Sequence, residues 1–135
     1  MAENIFLEVV TPGASVVSEE AQIVMAPGSE GEFGVLRGHT TFLTSLKIGS
    51  LRYKDAAGKE RVLFVNGGFA EVLPTKVTVL AESAERRSQI EVERVRAAKA
   101  RAEKRISERS VGIDILRAEA ALRRAIQRLS VIETR

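Results

Sequence analysis

A lone histidine, a glycine-rich stretch, a pair of adjacent carboxylates and a basic C-terminal third are the features of this chain that bear on chemistry. His39 is the only histidine and there is no cysteine, so neither a histidine cluster nor a thiolate set can hold a metal. A nucleophilic triad through His39 needs a serine at a strand-to-helix elbow, and no serine has that setting. His39 is read instead as a turn residue between strands or at an interface. The stretch Gly28-Ser29-Glu30-Gly31-Glu32-Phe33-Gly34 has the spacing G-x-x-G-x-x-G, which is neither a dinucleotide fingerprint nor a Walker loop. It lacks the Lys-Ser/Thr ending, and two carboxylates stand where phosphates would bind. Its glycines are read as turn formers between strands. Glu19 and Glu20 are neighbours on the chain, so in a strand they face opposite ways and cannot share a site. No catalytic residue and no metal ligand are expected.

The arginines allow more. Arg94, Arg101 and Arg105, and then Arg117, Arg124 and Arg128, recur at one or two helical turns. Three readings stand side by side: a solvated face balanced by Glu93, Glu103 and Glu119; a nucleic-acid surface; and a mobile basic hairpin that docks on an acidic protein surface. The second lacks aromatic residues for base stacking, and its mixed charge weakens the field. Composition alone does not separate the three.

The elements that carry these residues change character part-way along the chain. From Asn4 to about Glu82 the pattern is short, β-branched and of period two, as in Ile5, Leu7 and Val9 and in Lys76-Val77-Thr78-Val79-Leu80. Pro12-Gly13, Pro27-Gly28, Gly49, Gly67-Gly68 and Pro74 punctuate it, and Asp55-Ala56-Ala57-Gly58 reads as a hairpin loop between Leu51-Arg52-Tyr53 and Arg61–Val65. The spacing predicts roughly eight to ten strands in an antiparallel sandwich or flattened barrel. From Arg86 onward Ala, Arg and Glu dominate. Ser88 with Glu91 reads as a capping box for a first helix running to about Glu108. Arg109–Gly112 breaks it, and Ile113 to Ile132 is the second helix of an antiparallel hairpin. The apolar seam of that second helix is Ile115, Ala118, Leu122, Ala125, Leu129 and Ile132; that of the first is Val95, Ala98, Ala102 and Ile106. A seam of mostly small residues buries little area, so this hairpin needs support from the sandwich or from another protein. The expected division is a strand domain over 1–84 and a helical domain over 85–135.

The bulk figures agree with two such parts. Of 135 residues, 44% are hydrophobic and 29% charged, the balance of a globular protein. Residues up to Ala84 carry 7 basic and 10 acidic side chains, and those from Glu85 carry 14 and 8, so the net charge of +3 originates in the helices. Met1–Val10 has no basic n-region and is not read as a secretory signal. No apolar run approaches the roughly 20 residues of a membrane-spanning helix, so membrane association is expected only through a partner.

Several stretches together resemble the epsilon chain family of rotary ATP synthases. They are Val9-Val10-Thr11-Pro12; Ala26–Leu36 followed by Gly38-His39; Leu46-Lys47-Ile48-Gly49; Gly67–Val72; Val77–Ala81; and Arg124–Leu129. The resemblance implies a non-catalytic subunit of a bacterial-type enzyme. It would be peripheral on the cytoplasmic face of the inner membrane, with the gamma subunit, the c-subunit ring and the beta and alpha subunits as partners and no nucleic acid. Glu30, Gly31, Glu32, Phe33 and His39 would face the c ring. The hairpin would exchange between a folded-down state and an extended state that restrains ATP hydrolysis. A regulatory ATP site is also implied for some members. Its motif is matched by Ile90, Glu91 and Arg94 with Arg124 and Arg128, except that Glu91 stands for an aspartate and Val95 for an alanine. The reading in a different class is a free-standing basic hairpin protein that binds nucleic acid or an acidic partner.

Overall fold

The computed structural model describes residues 3–108 and 114–133. In β1 (Ile5–Thr11) the side chains of Ile5, Leu7 and Val9 are fully buried while Phe6, Glu8 and Val10 are less so, the alternation of a strand with one face in a core. Next come β2 (Ala14–Gly28), β3 (Gly31–Val35), β4 (Phe42–Asp55), β5 (Glu60–Val72), β6 (Lys76–Leu80) and β7 (Ala84–Arg86). β1 lies antiparallel to β2 and parallel to β6; β6 pairs with β5, β5 with β4 and β4 with β2, so five strands close on themselves as a flattened barrel. β3 continues the β1 edge of β2, and β7 continues the β6 edge of β5.

Seven strands among the described residues, where the punctuation predicts eight to ten, follow from the length of three of them. β2, β4 and β5 span 15, 14 and 13 residues, and each changes which parity of residue faces inward. In β5 the inner core receives Leu63 and Val65, then Ala70 and Val72; in β4, Leu46, then Leu51 and Tyr53; in β2, Val17 and Ala21, then Val24 and Ala26. A strand that turns a barrel corner breaks its own alternation, so each reads as two short strands.

The β4–β5 turn is held by Asp55, which is 7% exposed. Its Oδ1 accepts from the Ala57 and Lys59 backbone N–H groups at 3.0 and 2.9 Å, and its Oδ2 accepts from Arg61 Nε at 3.1 Å. The Lys59 N–H, and after it Arg61, holds this carboxyl below the usual aspartate range against the opposing effect of burial. Gly58 takes φ +85° in the same turn.

β structure continues through Arg86, two residues past the expected division at Ala84. Arg86 is anchored to the sandwich: its Nε donates to the Val16 carbonyl at 3.2 Å and its Nη1 to the Tyr53 hydroxyl at 3.4 Å. A short 3-10 turn, Arg87–Gln89, then leads to α1 (Val92–Glu108). The expected Ser88–Glu91 capping box is not formed. Ser88 lies inside the 3-10 turn, and it is Gln89 that reaches back, its Oε1 accepting from the Arg86 N–H at 2.8 Å. α2 (Ile115–Glu133) is capped by Asp114, whose Oδ1 accepts from the Arg117 N–H at 3.0 Å. The expected break at Arg109–Gly112, with Ile113, lies outside the described residues.

α2 lies between α1 and the barrel. Val95 and Ala102 of α1 and Ala118 and Ala125 of α2 are buried along the expected seam, and Leu122 and Leu129 are partly so. Val131, outside that seam, is fully buried. It joins Phe64, Ile90, Val95 and Ala125 in a second apolar cluster, flanked by Ile48 and Val62 of the outer sheet face. The inner barrel core shares none of these five residues.

Candidate functional site

Two separate regions hold the residues singled out by the sequence. The first is the β2–β3 turn with the loop before β4. Gly28 pairs with Gly31 across a two-residue turn, Ser29-Glu30, and Gly31 takes φ +133°. A Cβ on Gly28 would lie 2.7 Å from the Gly31 carbonyl oxygen and 3.0 Å from the Phe33 ring, so glycine is required there for close packing. Glu30, Gly31 and Glu32 are exposed. Glu32 accepts from Arg52 at 2.7 Å. Phe33 packs edge-to-face on Phe42 with centroids 5.1 Å apart, and His39 lies 5.2 Å from the same ring. His39 Nδ1 is 2.7 Å from the Thr40 carbonyl, to which it donates. All five expected residues thus lie in one neighbourhood. Phe42 ties Phe33 to His39, and Ser45 donates to Ser29 at 2.7 Å; neither Phe42 nor Ser45 carries a motif that singles it out. Exposed Leu36 adds apolar surface to the loop.

The second region is a cleft of about 360 Å³ between the β7 hinge, α1 and α2, lined by Glu85, Gln89, Glu91, Arg94, Val95, Ala98, Arg101 and Arg128. Of the expected nucleotide set, Glu91, Arg94 and Arg128 line it. Ile90 is instead buried in the second apolar cluster, and Arg124 is half-buried away from the lining. Glu85 and Gln89 join the set through folding alone, and Arg101 joins from the expected row of arginines, seven residues after Arg94. The closest pairing in the cleft is between the two domains: Arg128 Nε and Nη2 both donate to Glu85 Oε1, at 2.8 and 2.7 Å. The Arg128 guanidinium lies 4.4 Å from the Phe64 ring centroid, a cation–π distance. Glu85 therefore meets the charge of Arg128, and Arg94 and Arg101 stand without an ion-pair partner among the described residues. A cleft with two such guanidiniums is chemically suited to an anion with spread charge.

Among the described residues there is no cluster of His, Cys, Asp and Glu able to hold a metal. No described helix is long and apolar enough to cross a membrane.

The two parts of the chain match two adjoining family models. Residues 4–87 match the ATP synthase delta/epsilon chain beta-sandwich domain, and residues 88–133 match the ATP synthase delta/epsilon chain long alpha-helix domain. The chain belongs to the ATP synthase delta/epsilon chain family. Similar members include the ATP synthase epsilon chain of Desulfatibacillum aliphaticivorans, 61% identical over 84% of this chain and 81% of the relative. Another is that of Nitratidesulfovibrio vulgaris, 54% identical over 97% of both chains. Among solved structures, a chain of the Euglena gracilis mitochondrial ATP synthase OSCP/F1/c-ring assembly superposes with a TM-score of 0.84 over 96% of this chain and 82% of that one. At 23% identity that likeness shows the shared fold. Family membership over both parts favours the subunit reading over a free-standing basic hairpin.

Proposed function

We propose that this chain is the epsilon-type, non-catalytic subunit of the central stalk of a rotary ATP synthase. It sits peripherally on the cytoplasmic face of a bacterial inner membrane and restrains ATP hydrolysis through its helical hairpin. The observation that carries the regulatory part is that the hairpin is docked through a cluster of its own. Phe64, Ile90, Val95, Ala125 and Val131 are shared between sheet face, hinge and helices, while the barrel core is complete without them. Releasing the helices leaves the barrel's own core intact, which suits a two-position element. In this reading the barrel holds the gamma subunit and the c ring, with the Glu30–Phe33 turn and His39 facing the ring. The basic helices, when extended, meet acidic surface on the beta and alpha subunits and stop rotation.

The test is reconstitution of a catalytic head lacking its epsilon subunit, with either the full chain or a version ending at Arg87. Both are expected to bind, and only the full chain to lower the ATPase rate. Equal rates with the two versions would remove the inhibitory role, and failure of both to bind would remove the subunit assignment.

The anion-suited cleft favours a second element, a regulatory ATP bound with the hairpin docked. Arg94 and Arg101 are the groups free to meet its phosphates. Calorimetric titration with millimolar ATP is expected to give saturable heat, lost on substituting both arginines by alanine. A flat titration of the unaltered chain removes the site.

A further inference from the structure

The outer face of the barrel and the hairpin are joined by two arginines that reach in opposite directions. From the hinge, Arg87 Nη2 donates to the Ile132 carbonyl, at the end of α2 where unpaired carbonyls concentrate negative charge. From α2, Arg128 reaches back to Glu85 of β7 and lies over Phe64 of β5. The Arg128 and Glu85 side chains are 25% and 28% exposed, whereas most of the other ion pairs are more open to water on at least one side. Both nitrogens of Arg128 that point this way converge on one carboxylate oxygen, and the ring beneath excludes water from one face of the pair.

We propose that Glu85, Arg128 and Arg87 form a clasp that holds the hairpin docked without any bound ligand, so that breaking the Glu85–Arg128 pair shifts the chain towards a released hairpin. Its consequence for hydrolysis rests on the regulatory reading above; the clasp itself does not. The helices give the apolar cluster only Val95, Ala125 and Val131 to set against Phe64 and Ile90, and α1 packs chiefly on α2. A directional, partly shielded ion pair supplies selectivity for one docked arrangement that small side chains do not.

The chain has no cysteine, so cysteines placed at exposed Glu71 and Arg123 can carry spin labels for pulsed distance measurement in the full chain. Glu85→Gln is expected to raise the ratio of long to short distances roughly tenfold, the scale for a partly shielded pair. Arg128→Gln, which alters only the helix side, is expected to do the same. The double charge swap, Glu85→Arg with Arg128→Glu, is expected to return the ratio towards that of the unaltered chain. Hydrogen exchange in β4 and β5 monitors the barrel in every variant. Distance distributions of both single variants that match the unaltered chain, with the barrel folded, overturn the clasp. In the reconstituted enzyme, a shifted distance with unchanged ATPase rate leaves the clasp standing and removes the regulatory reading.

Discussion

Replacing Gly68 by alanine is expected to unfold the barrel at a temperature about 15 °C or more below that of the unaltered chain, followed by circular dichroism. Gly68 has φ +111°, in a region that side chains with a Cβ rarely enter. A Cβ built there would lie 2.0 Å from the Leu80 carbonyl oxygen, 2.8 Å from Ala81 Cα and 2.9 Å from the Leu80 carbonyl carbon. All three are backbone atoms at the end of β6 or in the residue just after it, so no side-chain rotation relieves the overlap. Backbone strain of about 1–3 kcal/mol and overpacking of about 1–3 kcal/mol act together at one residue. The position also has a topological role. Gly67 and Gly68 lie at the corner where β5 changes from facing Leu63 and Val65 inward to facing Ala70 and Val72 inward. Forcing β6 away from this corner also strains its parallel pairing with β1. Gly13, with nothing within 4 Å of a built Cβ, is the control: Gly13→Ala is expected to change stability by less than about 0.5 kcal/mol. Equal melting of the Gly68→Ala chain and the parent would show that the corner tolerates a side chain.

The same corners explain what the sequence displays and what it hides. Binary patterning exposes β1, β6 and the β4–β5 turn because each depends on residues close together in the chain: Ile5, Leu7 and Val9, or Asp55 with Gly58. The long bent strands are hidden because a corner resets the alternation, and a reset looks like a strand end. Helix periodicity likewise marks Val95, Ala102, Ala118 and Ala125, all buried. It misses Val131, which is buried in the cluster that Phe64 of the sheet face and Ile90 of the hinge share with the helices. The Ser88–Glu91 cap fails because Arg86 is fixed to Val16 and Tyr53 by side-chain bonds, which extends β structure to that residue and delays the helix to Val92.

For the two regions of interest the difference is one of range. Glu30 to Phe33 are contiguous, so their shared turn is legible in the glycine pattern, while Phe42 enters only through ring packing. The cleft draws on β7, the hinge and both helices. Glu91 and Arg94 are one helical turn apart and can be paired on paper, but nothing in the sequence places Glu85 against Arg128, 43 residues away. Ile90 belongs to the same motif and still turns into the second apolar cluster, because the 3-10 turn before it sets the direction in which α1 begins.

Phe64→Ala is expected to release the hairpin while leaving the barrel folded. Among the described residues Phe64 is the largest fully buried side chain, and it is the buried residue that β5 gives to the docking cluster. Truncating a buried phenylalanine costs about 3–5 kcal/mol, and here it also removes the ring under Arg128. The loss falls on one interface: the neighbours on either side, Leu63 and Val65, face the inner core, and Phe64 does not. Hydrogen exchange is the discriminating measurement. Amides of α2 are expected to exchange at least a hundredfold faster in the variant, since about 3 kcal/mol corresponds to more than two decades in an equilibrium constant. Amides of β1, β5 and β6 that pair within the barrel are expected to keep their protection. Leu63→Ala, one residue away and facing inward, is expected to give the opposite pattern, with barrel protection falling throughout. If Phe64→Ala lowers the barrel amides in step with those of α2, the two clusters fold as one cooperative unit. The hairpin could then not leave the barrel without unfolding it, and a docked-to-extended exchange would have no structural basis in this chain.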